Sequence, residues 1–412
     1  MSNLAAPNSN KKTYSLFEVF GVELEYMIVD QETLEILPIT DRLFQDISGE
    51  ITDEIERGQI TLNNELALHV VELKTTKPEK DLSSLPELFE KEIRSLQKYL
   101  KKHHARLLPS AMHPWMDSYK ETKLWPHGDA TIYNAFHKIF DCRGHGWGNL
   151  QSVHLNLPFS QEEEFVKLHS AIRLILPLIP TLAASSPFAD GAATGFKDTR
   201  LKVYQSNCKK IFSVTGHIIP EYCGSIEEYH QKILQPIYKD LKPYDPQGVL
   251  QNEWVNARGA ITRFSRQSIE IRLIDIQEAP LMDLAIVKAL ASLIGNLIKK
   301  GDLEKFDEVR LKKILEEGIQ KGEEAWIDDL DYLKVFDWQG ATIPAKELWK
   351  HLFDNFIDLD PVSRNQLEII IKEGTLATRL LKKAGNSPSK DTLRKVYSLL
   401  GNSLDKGTPF IP

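Results

Sequence analysis

The chain has 412 residues, 42% of them hydrophobic and 26% charged, and its 51 Lys+Arg against 58 Asp+Glu leave a net charge of −7. That composition supports a sizeable core and excludes general disorder, and a mildly acidic balance lacks the positive field that nucleic-acid binders use. No uninterrupted apolar run reaches membrane-spanning length, the polar start MSNLAAPNSNKK has no apolar signal core, and the three cysteines (Cys142, Cys208, Cys223) have no metal-type spacing. The expectation is a reduced cytoplasmic protein with incidental thiols and neither nucleic acid nor membrane as partner.

Residues 1–12 read as a flexible polar tail. Strand-like alternation begins near Gly21 and runs to Val29, and residues 66–75 give a second strand-like run. Residues 85–103 read as an amphipathic helix through Leu85, Phe89, Ile93, Leu96 and Leu100, opened by a Ser84/Glu87 capping box with Pro86 in its first turn. Pro109 limits residues 106–111 to an edge strand or a loop. Residues 113–149, rich in His, Trp, Gly and Asp, read as a long loop holding one helix near 131–140. A strand over 151–157 follows, then a helix to about residue 176 opened by Ser160 and Glu163, a loop-rich stretch over 185–224 and a strand over 268–276. After Pro280 the pattern is helical, over residues 281–300, 311–321, 345–356, 361–373 and 390–400. The reading is an α+β body over residues 13–280 with a helical C-terminal region, 281–412, packed on it.

Glu23 and Glu25 share one face of the first strand, while Val22, Leu24, Tyr26 and Ile28 suit a core on the other. Adjacent carboxylates repel unless a cation or proton intervenes, although a solvated acidic strand edge is the simpler alternative. Ser152, His154 and Asn156 make a similar polar face opposite Val153, Leu155 and Leu157, where a lone histidine is more often structural than a ligand. In the strand over 268–276, Ser268, Glu270, Arg272 and Ile274 share a face, and Glu270 can simply pair with Arg272. Glu65 and Glu72 would face opposite ways on one regular strand, so a turn or bulge must intervene, and Asn63-Asn64 offers turn chemistry. Hard cations such as Mg²⁺ take carboxylate oxygen, and the planar arginine fork suits phosphate, so these faces suit a nucleotide–metal cradle. There is no GxxxxGK[ST] run and no GxGxxG after a strand, so a bound ATP would be held without a Gly-rich phosphate loop. A metal-dependent hydrolase can use the same residue types, but HExxH and clustered histidines are absent.

Gly21-Val22-Glu23-Leu24-Glu25 resembles the G-[IV]-E-x-E strand of the glutamate–cysteine ligase type 2 family, carboxylate–amine ligases related in fold to glutamine synthetase. Glu72-Leu73-Lys74-Thr75 is similar to that family's E-L-x-T strand, Met112-His113-Pro114-Trp115 to its T-H-P-F segment, and Val153-His154-Leu155-Asn156 to its H-V-H-V strand. Ala184-Ser185-Ser186-Pro187-Phe188, with Gly191, Gly195 and Arg200 downstream, resembles its S-A-S-S-P-[FY]-x-x-G loop, and Ser268 to Asp275 its T-[VI]-E-[VI]-R-[VI]-x-D strand. The matches run in the family's order over roughly residues 20–280. Ser152 stands where the family has histidine, the long loop after Trp115 has no counterpart, and the helical C-terminal part carries no matching motif.

The resemblance implies a glutamine-synthetase-like body, α+β, with a curved antiparallel sheet (a half-barrel) that holds ATP and Mg²⁺. It implies that ATP phosphorylates the side-chain carboxylate of glutamate and that an amine such as cysteine attacks the acyl phosphate to give a γ-glutamyl amide. Such chemistry needs positioning and charge neutralisation more than a protein nucleophile. By resemblance Glu23, Glu25, Glu65, Glu72, His154 and Glu270 are the metal ligands, Arg272 contacts the transferring phosphoryl group, and Arg200 holds a substrate carboxylate or phosphate. Ser185 and Ser186 would border the bound ligands, and Arg266 would reach a phosphate. The partners are then small molecules, and a homo-oligomer is compatible with the reading. The departures leave a second alternative, a non-catalytic nucleotide or amino-acid binder on the same scaffold.

Overall fold

A computed structural model describes residues 12–128, 130–301, 303 and 306–412, so the expected tail over residues 1–12 lies outside the described residues except for Lys12. Among them, eight strands form one open antiparallel sheet: β1 (Gly21–Asp30), β2 (Glu54–Arg57), β3 (Ile60–Asn64), β4 (Val70–Thr75), β5 (Ala105–Leu108), β6 (Ser152–Pro158), β7 (Ala260–Arg263) and β8 (Ser268–Asp275). Their order is β2-β3-β4-β1-β6-β8-β7, and β5 pairs with the Met27–Asp30 end of β1. β1 is therefore central, flanked by β4 on one side and by β6 and β5 in succession on the other.

Alternation gives this sheet two unlike faces. Val22, Leu24, Tyr26, Val71, Leu73, Val153, Leu155, Ile269 and Ile271 are buried in one apolar core, each such side chain contributing roughly 1.5–3 kcal/mol. The helices Leu85–Leu100 and Glu162–Ile175 pack on the sheet, and the helix Pro280–Lys300 packs on both of them and on Pro361–Glu373. By length and composition Pro280–Lys300 could cross a membrane, but it is the central core helix, with 67% of its most apolar window buried. Its polar residues have partners inside the fold: Asp283 accepts from the Gln277 N–H at 2.7 Å, and Lys288 reaches Asp360 at 2.8 Å.

The sequence patterns locate most of these elements but misjudge several ends. Only Val70–Thr75 of the run over 66–75 is strand, because Leu66 and Leu68 exchange backbone hydrogen bonds with residues 123–125 instead. Asn63-Asn64 makes no turn; both end β3, opposite Glu72 and Val71, and the turn begins at Glu65. Ser84 makes no side-chain cap, and at the second helix Glu164, not Glu163, reaches back to Ser160. The short strands β2, β3 and β7 and the helices Thr40–Ser48, Gln235–Leu241, Leu330–Val335 and Leu376–Ala384 were not anticipated, being too short for periodicity to stand out.

Candidate active site

The polar face of the sheet is assembled by register. Glu25 lies directly opposite Glu72 on β4, Glu23 opposite His154 on β6, and Glu270 on β8 opposite Asn156 on β6. Directly opposed residues in an antiparallel pair point to the same side, so four strands deliver their acids and imidazole to one place. Glu23, Glu25, Glu72, His154 and Glu270 are between 1% and 9% exposed. Glu65 joins them from the turn after β3.

A hydrogen-bonded chain links these groups. His154 Nδ1 donates to Glu23 at 2.8 Å, and Ser152 donates to Glu25 through both its N–H (2.7 Å) and its hydroxyl (2.9 Å). The Ser152 hydroxyl has spent its proton on Glu25, so at 2.9 Å it accepts from His154 Nε2. Both ring nitrogens then donate, as in an imidazolium. Burial alone would lower the pKa of His154, but the Glu23 hydrogen bond and the charges of Glu25 and Glu23 outweigh it and raise it. Ser152 thus belongs to the network through both its N–H and its hydroxyl.

The carboxylates divide into two groups. Burial works to raise Glu23, yet the hydrogen bond and charge of His154, with Arg266 and Lys74 nearby, hold it well below the usual carboxylate range. Glu270 is likewise held low against burial, chiefly by Arg272, which donates Nε to it at 2.6 Å, and by Arg263, which donates at 2.9 Å. Glu65 goes the other way, raised to about 7 by burial and the charge of Glu25. Glu72 is raised well above its ordinary value by burial and then by Glu23 and Glu65. Negative charge is therefore in excess where Glu25, Glu65 and Glu72 meet, and a cation would relieve it.

The donor sets fit divalent cations. Glu23, His154 and Glu270 each offer one ligand atom within 4.8 Å of the others, and Glu25, Glu72 and His154 do the same, so His154 belongs to both triads. Carboxylate-rich sets of this kind suit hard cations, with substrate phosphate completing the shell.

Beside the triads lies a cavity of about 230 Å³. Glu25, Glu65, Ser152, His154, Arg200 and Arg272 line its charged side, and Tyr133, Phe136, Trp147 and Trp254 its aromatic side. Arg200 is fixed by Asp275, which takes its Nε, and it donates Nη1 to the Arg272 carbonyl at 3.3 Å, while its buried Nη2 has no hydrogen-bond partner. That orphan donor at the cavity wall is a seat for an anion.

Two expected placements change. Ser185 and Ser186 are fully buried and do not line the cavity; the Ser185 N–H (2.8 Å) and the Ser186 hydroxyl (3.0 Å) bind Asp275, so they brace the residue that braces Arg200. Ile274 does not share the face of Glu270. The β8–β6 register shifts between Ile271 and Ile274, which turns Ile274 into the core and sets Asp275 opposite Ser152 on the polar face. Arg266 is exposed in the β7–β8 turn, near enough for its charge to act on Glu23.

Sequence reasoning missed Arg263, Asp275 and the aromatic wall. Arg263 pairs across the hairpin with Ser268, a register no single strand reveals. Asp275 closes the quoted β8 motif, which was the available signal.

The sequence model of glutamate–cysteine ligase family 2 matches residues 19–389. The chain belongs to this family. Its relatives include an uncharacterised Archaeoglobus fulgidus protein, 33% identical over 88% of this chain and 92% of that one. Two solved structures show the same fold. The bifunctional glutathione synthetase of Pasteurella multocida has a TM-score of 0.65 at 16% identity, covering 95% of this chain and 53% of that one. The glutamate–cysteine ligase of Francisella tularensis, solved in complex with AMP, has a TM-score of 0.58 at 13% identity over 96% and 90% of the two chains. The family match extends past β8 through the helix Leu376–Ala384 and ends before the helix Lys390–Lys406.

Proposed function

We propose that this chain is an ATP-dependent carboxylate–amine ligase that joins the γ-carboxyl of glutamate to a primary amine through an acyl phosphate. The observation that carries this is the pair of triads sharing His154, set beside a cavity that presents Arg272 and the unpartnered Nη2 of Arg200. Family membership and the AMP-bound Francisella neighbour support ATP as the phosphoryl source.

In this reading the γ-carboxylate oxygen of glutamate attacks the terminal phosphorus of ATP and the P–O bond to ADP breaks. The amine nitrogen then forms a C–N bond with the acyl carbon, inorganic phosphate leaves with the C–O electron pair, and one N–H proton passes to water. Glu23, His154 and Glu270, or Glu25, Glu72 and His154, would hold a divalent cation, with Glu65 at the edge. A neutral imidazole has one lone pair, so His154 would give up the proton on the side of the ion and serve one ion at a time, a second ion resting on the remaining carboxylates. Bound Mg²⁺ would supply charge neutralisation of the phosphate chain. Arg272, oriented by Glu270, stabilises charge on the transferring phosphoryl group, and Arg200, oriented by Asp275, holds the α-carboxylate. Arg266 approaches the phosphates from the rim.

The test is formation of γ-glutamyl hydroxamate from ATP, glutamate and hydroxylamine, with one ADP released per hydroxamate. Hydroxylamine traps the acyl phosphate whatever the true acceptor is. Glu270→Gln is expected to abolish the signal; full activity in that variant would sink the assignment.

A further inference from the structure

We propose that the acceptor half of this cavity takes a primary amine bearing an aromatic or large apolar body and no carboxylate; the proposal rests on the ligase reading above. Charge is the first argument. Glutamate brings two carboxylates, and an amino-acid acceptor such as cysteine would bring a third. Among the described residues lining the cavity, the cationic side chains besides His154 are Arg200 and Arg272. Arg272 gives Nε to Glu270 and, under the ligase reading, its remaining donors to the transferring phosphoryl group, and Arg200 has a single unpartnered donor group. Once glutamate has taken that group, a third carboxylate would sit near Glu25 and Glu65 with no cation of its own, an arrangement burial strongly disfavours.

Shape is the second argument. The wall across the cavity is aromatic, with Phe136 set 5.4 Å from Trp147 and 5.9 Å from Trp254, ring centre to ring centre. It is built from three separate segments, the helix Ala130–Phe140, the turn His145–Gly148 and the turn Glu253–Val255. Such surfaces bury rings by edge and offset contacts and attract ammonium groups over their faces. A thiol-sized side chain would leave most of this surface uncovered. Of the arginines assigned to the phosphates, Arg272 lines the cavity and Arg266 does not, so the cavity meets the phosphate side at Arg272. The third observation is Asn207, another lining residue. Its Nδ2 donates to the Gly146 carbonyl at 3.1 Å, while its buried Oδ1 has no partner and can accept an amine N–H.

The full chain, supplied with ATP, Mg²⁺ and glutamate, is assayed with 2-phenylethylamine, tryptamine, phenylalanine and cysteine, with hydroxylamine as reference. Phenylalanine and 2-phenylethylamine differ only in the carboxylate. The expected kcat/KM for 2-phenylethylamine exceeds those for phenylalanine and cysteine by at least about 100-fold. Trp254→Ala is expected to raise the KM of that amine by at least about tenfold and to move the KM of ATP far less. If hydroxamate forms while cysteine or phenylalanine matches or beats the amines, or while none of the four reacts, the acceptor assignment is overturned. The same holds if Trp254→Ala shifts the KM of ATP instead. If no hydroxamate forms at all, the ligase reading itself fails and takes the acceptor with it. The wild-type panel decides the matter even if Trp254→Ala does not fold.

Discussion

Glu278 and Arg379 are both fully buried, as Glu270 nearly is, yet the two places end in opposite electrostatic states. Arg379 pairs with both oxygens of Glu278, donates to the carbonyls of Gly374 and Phe410, and Glu278 also accepts the Phe410 N–H at 3.0 Å. One acid meets one base, their donors and acceptors are largely satisfied, and the segment around Phe410 is fastened to the body. At the sheet face Glu23, Glu25, Glu65, Glu72 and Glu270 crowd together, and Glu65 and Glu72 are pushed up rather than stabilised. The same residue types thus serve folding where charge closes within the protein, and leave a place for an external cation where it does not.

The largest expected effect breaks the open cluster. Glu270→Gln should lower turnover by at least about 10³-fold, since it frees Arg272 and removes one donor of a triad. Its stability in the absence of divalent cations should stay within about 1 kcal/mol of the parent, because one repelling acid is lost along with its pairing. Urea unfolding alongside ADP release checks both halves, and a large loss of stability would place Glu270 with Glu278 as a folding residue.

Next comes the closed cluster. Arg379→Met should cost about 3–5 kcal/mol by leaving Glu278 buried and unpaired. Activity per folded molecule should survive at low temperature, and the double variant Glu278→Gln/Arg379→Met should recover part of the loss in the same urea assay.

The smallest effect concerns a buried group with no ionic partner. His169 stacks on Phe165, neither of its ring nitrogens has a hydrogen-bond partner, and burial, aided by the charges of Arg173 and Arg258, lowers its pKa from 6.5 to about 3. The unfolded chain therefore takes up a proton between those values and the folded chain does not. This contribution to stability is present above about pH 6.5 and is lost as pH falls toward 3. His169→Phe should flatten the fall of the urea midpoint between pH 7 and pH 4.5; an unchanged slope would contradict the assignment.

Much of the open cluster was legible in the sequence because alternation on a single strand marks which residues share a face. Glu23 with Glu25, and His154 with Ser152, follow from that rule alone. What alternation cannot carry is a change of phase, and the bulge in β8 moves Asp275 onto the face that simple counting gave to Ile274. Nor does it carry pairing between distant strands, so Arg263 and the opposition of Glu25 to Glu72 became visible only with the register. The motif around Ser185 and Ser186 was visible, but its role was not. Two hydroxyls beside a proline can face a ligand or the protein's own acceptors, and here Asp275 takes the Ser186 hydroxyl and the Ser185 N–H while the Ser185 hydroxyl goes to the Ile276 carbonyl. The aromatic wall was least legible, since Phe136, Trp147 and Trp254 come from helical and turn segments whose convergence depends on the whole fold.

The central claim is that the sheet face is a cradle for divalent cations with His154 within reach of both triads. Mn²⁺ binding to the full chain in the presence of ADP, followed by electron paramagnetic resonance, tests it most directly. At least one ion per chain is expected, weakened by His154→Ala and by Glu270→Gln or Glu72→Gln according to which triad holds it. Binding that is absent from the parent, or that survives His154→Ala at full stoichiometry and affinity, would contradict it.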